Sequence, residues 1–381
     1  AYAGAHLIDP RNTLFGGLRV EYSHLTAWTC MSGISCEFGM ESRDIKQWSA
    51  TYTPSPEASA QLPDLGNVTL CSIGQMSVDS AHQIAMSEVK RLIFRPVEPM
   101  TLEDLDRGFM YPMRNFLSFA AMSSVYPTSV YLSIPGGAGH ANENDSDLTE
   151  VEVLFRLARK TSTDVQKGFA LMDMLFYLQD VADRFQEVLA KWFSMTKELG
   201  TALDAFFAVT QNPVLPLEHR FLNTVQALES YHRCRMNKQI FANEEHADLV
   251  RRCACAVSDK YKEWVRNVLR HSNEPTLKHR IVELMNEGTV TMSRIGVKPN
   301  RLKRQAQKVV DTRNYLAHRD VSRKKRAAKG KELCAITQLL TYLFREFLLK
   351  ELSFSDDEIS ELFSRNQRFL FQTRQIREYF N

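Results

Sequence analysis

The chain has 381 residues, 44% of them hydrophobic and 24% charged, ordinary values for a soluble globular protein and a length that suggests two domains. No apolar run approaches the ~18 residues of a membrane-crossing helix, and the first 25 residues lack the basic-then-apolar order of a signal peptide. The formal net charge of +3 conceals an asymmetry: residues 1–150 hold 9 Lys and Arg against 17 Asp and Glu, and the remainder holds 39 against 28.

Seven cysteines, an odd number and scattered, suggest buried free thiols in a reducing compartment, so a cytoplasmic location is expected. Cys253 and Cys255, with His232 or His246, lack a second ligand pair. Neither a metal nor another cofactor is expected.

The first third reads as β-rich. Residues 17–29, 67–73 and 81–95 are runs of branched and aromatic residues bounded by Gly, Pro, Asn and Ser. A helix is expected over 102–122, with Thr101 as N-cap and Glu103 and Asp104 at its positive end. Residues 126–134 read as a further strand, 135–147 as a polar Gly-rich loop, and LTEVEVLFRLA as a return to strand. The expected module is sandwich-like or barrel-like with an inserted helix.

Beyond about 165 the apolar spacing becomes three and four. Leu175, Leu178, Val181, Phe185 and Leu189 form one helical stripe, and Pro213 and Pro216 break the pattern. Helices are expected from about 217, over 246–270 and 276–287, over a basic 300–317, over an apolar 331–349 and over 355–365. The last opens on a Ser355/Glu358 capping box. The fold class is therefore α+β: a β-rich domain over 1–163, then an all-α bundle over 164–381. The aromatics Trp192, Phe193, Phe206, Phe207, Tyr342 and Phe344 lie at helical spacing and read as core.

The basic helix contains RNYLAH, residues 313–318. Residues 301–331 carry 12 basic and 2 acidic side chains, the footprint of a polyanion site. Arg313 is a permanent cation that suits a phosphate, and His318 titrates near neutral pH and can move a proton. RNA carries its own nucleophile, the 2′-hydroxyl, so a proton carrier and a cation suffice for cleavage. Asn314 can orient the histidine or hold a phosphate oxygen. Arg301, Lys303, Arg304, Lys308, Arg319, Arg323, Lys324, Lys325 and Arg326 are the candidate RNA contacts. The plainer reading is a solvated helix end with Arg313 paired to Asp311 or Asp320.

Five residues on an ideal helix turn by about 500°, leaving Arg313 and His318 roughly 140° apart and ~7.5 Å along the axis. On that geometry the pair needs either unwinding near Leu316–Ala317 or side chains from a second copy. The apolar 331–349 helix also suggests surface for a homodimer. Glu229, His232 and Arg233 form a second polar cluster at i, i+3 and i+4. It is read as bracing the catalytic helix, touching RNA, or forming a structural hydrogen-bond set. No phosphate-binding loop and no GxSxG occurs.

RNYLAH resembles the Arg-x4-6-His motif of HEPN ribonucleases. LEHRFLNTVQALESYHR (217–233), LKHRIVELM (277–285), VVDTRNYLAHRD (309–320) and MLFYLQDVADRFQEVLAKWF (174–193) resemble the HEPN domain of ApeA-type proteins. NVTLCSI, VKRLIFRPVEPMTLEDL and MRNFLSFA are similar to the ApeA amino-terminal domain. The resemblance covers the chain from about residue 67 onward and is weak over the first sixty. It implies a metal-independent endoribonuclease in abortive-infection defence against phage. Also implied are a dimer, RNA such as tRNA as substrate, a phage-derived trigger and no membrane. A non-catalytic RNA-binding or protein-interaction module on the same fold is the alternative.

Overall fold

The computed structural model describes all residues except 5–6, 8, 42–43, 81–82, 135–149, 156–170, 213, 237–238 and 381. The chain divides into two compact units, Ala1–Thr196 with Arg365–Arg368, and Lys197–Ser364 with Phe369–Asn381. The expected boundary at 163/164 and the Gly-rich loop over 135–147 lie outside the described residues.

The first unit contains β1 (Tyr2–Ala3), β2 (Gly17–Tyr22), α1 (Leu25–Thr29), β3 (Ile34–Glu41) and β4 (Asp44–Tyr52). After these come β5 (Ala58–Leu62), β6 (Gly66–Ser80), β7 (Gln83–Pro96), α2 (Leu102–Leu105), α3 (Tyr111–Ala121), β8 (Pro127–Ser133) and β9 (Glu150–Val153). Seven strands make one antiparallel sheet in the order β1-β9-β8-β2-β7-β6-β5, and β3 pairs with β4 alone. Period-2 alternation aims one face inward. Register aligns Val151, Leu132, Leu18, Phe94, Val68 and Ala60 in one row across the sheet, and Val130, Val20, Leu92 and Leu70 in the next. All ten are buried.

The layer on that face is helical, where a strict sandwich would place a second sheet. Thr101 caps α2, its side chain accepting from the Asp104 amide, and a π-helical turn over Asp106–Met110 joins α2 to α3. Phe109 from this turn stacks on Phe94 with ring centroids 4.1 Å apart. Helix α4 (Phe185–Glu198) packs behind, where Trp192 meets Phe116 and Phe119 and donates to the Pro112 carbonyl at 2.9 Å. Two sequence expectations are corrected in this unit. The run 17–29 is a strand only to Tyr22, because left-handed His24 turns the chain into α1. The stripe Leu175–Leu189 is buried throughout, but Leu178–Arg184 is a 3-10 helix and α4 begins at Phe185.

The second unit is helical: α5 (Gly200–Thr210), α6 (Leu217–Met236), α7 (Asn243–Cys255), α8 (Asp259–Leu269), α9 (Leu277–Glu287) and α10 (Thr289–Ile295). There follow α11 (Leu302–His318), α12 (Gly330–Glu351), α13 (Asp356–Arg365) and α14 (Gln367–Phe380). The single helix expected over 246–270 is two, broken where Ser258 turns extended. Helix α12 is the centre: Leu339, Leu340, Leu343, Phe344 and Leu348 are fully buried. Phe344 lies 4.9 Å from Phe206, and Phe347 stacks 5.1 Å from Tyr231. Its apolar surface is therefore consumed inside this unit, which removes one reason for expecting a dimer. The six aromatics read as core are all buried. Ser355 and Glu358 make the reciprocal capping bonds at 2.6 and 3.2 Å.

Candidate active site

Helix α11 carries the motif at its last turn. Leu302, Ala306 and Val309 are buried and seat the helix, which packs on α9 and α6. Thr312, fully buried, donates to the Lys308 carbonyl at 2.7 Å and accepts from the Ala328 amide at 2.9 Å. His318 is the final helical residue, and Arg319 leaves in a left-handed conformation at φ 54°. Arg313 is half-buried and His318 exposed.

The two side chains meet within one chain. Arg313 Nη1 lies 3.0 Å from His318 Nε2, and the same nitrogen donates to Asn314 Oδ1 at 3.3 Å. The expectation that they need an unwound helix or a second copy is thus corrected. A helical wheel measures where side chains leave the axis, whereas a guanidinium on its long stem reaches well round the helix. Cβ bonds tilt toward the helix N-terminus, so His318 leans back toward the arginine. Guanidinium has no acceptor, so Nε2 accepts in this contact and the ring proton sits on Nδ1. The helix end thus presents an imidazole whose Nε2 is occupied by the guanidinium beside it.

The basic run is only partly available. Arg323 reaches back to buried Asp311 and also donates to Asp320 at 2.9 Å. This candidate RNA contact is also a clasp that ties the segment after α11 onto the helix. Asp320, whose carboxyl is held below its ordinary value by the Ser322 hydroxyl and then Arg323, belongs to the same clasp. Arg313 therefore does not pair with Asp311 or Asp320, as the plainer reading had it. Lys308 is 3.1 Å from Glu332, Arg301 donates to the Phe380 carbonyl at 3.1 Å, and Arg326 is 3.8 Å from Asp311. Lys303, Arg304, Arg319, Lys324 and Lys325 are exposed.

The second polar cluster faces elsewhere. His232 is completely buried, with Nε2 2.8 Å from Glu283 and Nδ1 3.0 Å from Arg280, both on α9. Arg233 pairs with Glu229 at 3.3 Å and with Glu274 at 2.9 Å. The cluster fastens α6 to α9 and the turn before it, the two helices on which α11 packs. Burial pushes the His232 pKa below its ordinary 6.5, against the opposing pull of Glu283. Arg280, Glu283 and Glu274 escaped the sequence reading, although LKHRIVELM contains two of them.

All seven cysteines are free, but only Cys71 is buried, so the expectation of buried thiols holds for that residue alone. His246 is bonded to Ser272 at 2.8 Å. Among the described residues no group of three His, Cys, Asp or Glu is placed to hold a metal ion, and no helix is long and apolar enough to cross a membrane.

A helical unit presenting an Arg/His pair at a helix end has the arrangement of a HEPN-type domain, and comparison with family models agrees. The model described as Apea-like HEPN matches residues 222–358, from within α6 to the start of α13, and the model described as ApeA N-terminal domain 1 matches residues 1–192. The chain belongs to the ApeA family, with a C-terminal HEPN domain. The amino-terminal match starts at residue 1, which corrects the expectation of a weak first sixty residues. No curated protein and no solved structure gave a match.

Proposed function

We propose that the protein is a metal-independent endoribonuclease acting in abortive-infection defence against phage, with Arg313 and His318 as the catalytic pair. The observation that carries this reading is the 3.0 Å contact between Arg313 Nη1 and His318 Nε2 at an exposed helix end, amid a strongly basic segment. An incoming phosphodiester competes for the guanidinium, whose planar fork matches phosphate oxygens. Exchanging the histidine for phosphate frees the Nε2 lone pair. That nitrogen then accepts the proton of the 2′-hydroxyl, the 2′ oxygen bonds to phosphorus, and the 5′ oxygen leaves and takes a proton from solvent. The products are a 2′,3′-cyclic phosphate and a 5′-hydroxyl. Arg313 stabilises the added charge of the transition state, and Asn314 steadies the guanidinium. The substrate is a structured RNA such as tRNA, in the cytoplasm, and a phage-derived cue releases the activity.

Purified protein incubated with total RNA in excess EDTA tests this. Cleavage that persists in EDTA and yields cyclic phosphate ends is the expected result. Absence of cleavage under all conditions, with RNA still bound, would favour the alternative of a non-catalytic RNA-binding or protein-interaction module. A homodimer is supported by the family resemblance alone, since each chain assembles its own Arg/His contact. Sedimentation of the active protein is expected to give twice the 43.7 kDa chain mass, and an active species of chain mass removes the dimer.

Lys324, Lys325 and Arg326 hold RNA through phosphates rather than bases. Neutralising these three together is expected to weaken binding to many RNAs alike. The slope of log K against log salt should flatten by about 2 for single strands. An unchanged slope places this segment away from RNA. Arg323 is left out of the set because its loss opens the clasp on Asp311.

A further inference from the structure

A cavity of about 640 Å³ opens beside the C-terminal turn of α11. Leu222 of α6 and Tyr315 and Leu316 of α11 form its apolar wall, and His219, Arg319 and Lys329 contribute its polar side. Glu218 is the one carboxylate among its lining residues. The volume lies within the range of small-ligand pockets. Aliphatic and aromatic walls suit a flat base, for which a tyrosine ring is a stacking partner. Arg319 and Lys329 suit a phosphate, and the imidazole of His219 offers hydrogen-bonding ring nitrogens to a base edge.

Arg319 ties the cavity to the end of α11. It sits just past the helix end at φ 54°, a left-handed position that glycine fills best and that an ordinary side chain occupies at a cost. It directly follows His318, so the cavity and the catalytic pair share one helix end. At about 100° per residue, Tyr315 and Leu316 leave the helix on the side away from Arg313 and His318. A strand rounding the helix end passes both.

We propose that this cavity is a nucleotide subsite, which receives the nucleotide flanking the scissile phosphate and gives the enzyme its base preference. The inference rests on the ribonuclease reading but is tested by binding alone. Calorimetry on the full chain with the four ribonucleoside 3′-monophosphates and with inorganic phosphate is the measurement. At least one nucleotide is expected to bind more tightly than inorganic phosphate. Leu222→Trp, which fills the cavity from a half-buried position, and Arg319→Gly, which removes a charge-assisted bond, should each weaken it about tenfold or more. Arg319→Gly should melt no lower than the parent, because glycine relaxes the left-handed residue, so its loss of binding cannot be charged to unfolding. The subsite is refuted if no nucleotide binds, if inorganic phosphate binds as tightly, or if both folded variants bind like the parent. RNA cleavage that survives Arg313→Ala would refute the catalytic assignment and leave these binding results unchanged.

Discussion

Arg313→Ala is expected to lower the cleavage rate by about 10²–10³-fold, the usual effect of losing a donor aimed at developing charge. His318→Ala should cost about 10²–10⁴-fold, the contribution of a positioned proton acceptor. Both should fold like the parent, because His318 is exposed, Arg313 is half-buried, and their side-chain bonds among the described residues are to each other and to Asn314. Arg313→Lys should not restore the rate: an ammonium keeps the charge but lacks the planar fork that grips two phosphate oxygens. Single-turnover cleavage in EDTA checks all three, with thermal melting as the control on folding. If a folded His318→Ala protein cuts RNA at the parent rate, the proton role belongs to another group. If Arg313→Lys cuts as fast as the parent, the arginine acts as a charge alone.

What the sequence made legible was local. Thr101, the Ser355/Glu358 box and the break at Pro216 act within one turn of their own position, so their signals survive without a fold around them. The β-rich runs at 67–73 and 81–95 likewise announced β6 and β7. Even a local pattern stayed ambiguous where two helix types share nearly the same period, as at Leu178–Arg184. Longer-range facts were not readable. Arg313 and His318 seemed to diverge because a helical wheel omits the reach of a long side chain. Arg323 reads as one more surface cation until the segment after α11 folds back and brings it to Asp311, twelve residues earlier. Buried Asp311 in turn resembled a solvent-facing ion-pair partner. The wall of the α11 cavity needs Leu222 and His219, about a hundred residues upstream of Tyr315, and no spacing rule joins them.

Arg280→Ala is expected to destabilise the helical unit by about 3 kcal/mol, the lower end of what breaking a buried charged network costs. Arg280 is 3% exposed and bonds His232 Nδ1, the Pro275 carbonyl and Glu274 at 3.0, 3.1 and 3.2 Å. Truncation strands the buried His232 nitrogen and releases the turn before α9. The same network sets a pH signature. His232 Nδ1 accepts from a permanent cation and Nε2–H faces Glu283, so the folded protein holds the ring neutral and its pKa below the ordinary 6.5. In the window between the folded and unfolded values the unfolded chain binds the extra proton. Stability therefore rises with pH there: the contribution is complete above 6.5 and is lost as pH falls below it. Urea midpoints measured at about pH 7.5 and about pH 5.5 should show that loss in the parent. His279 and Glu283 also lie beside the network, 3.6 Å apart, with His279 63% exposed. His232→Gln, which cannot titrate, should lower the midpoint at both pH values and shrink the difference between them. An undiminished difference in that variant would move the pH dependence away from His232, leaving Arg280→Ala as the separate measure of what the buried bonds contribute.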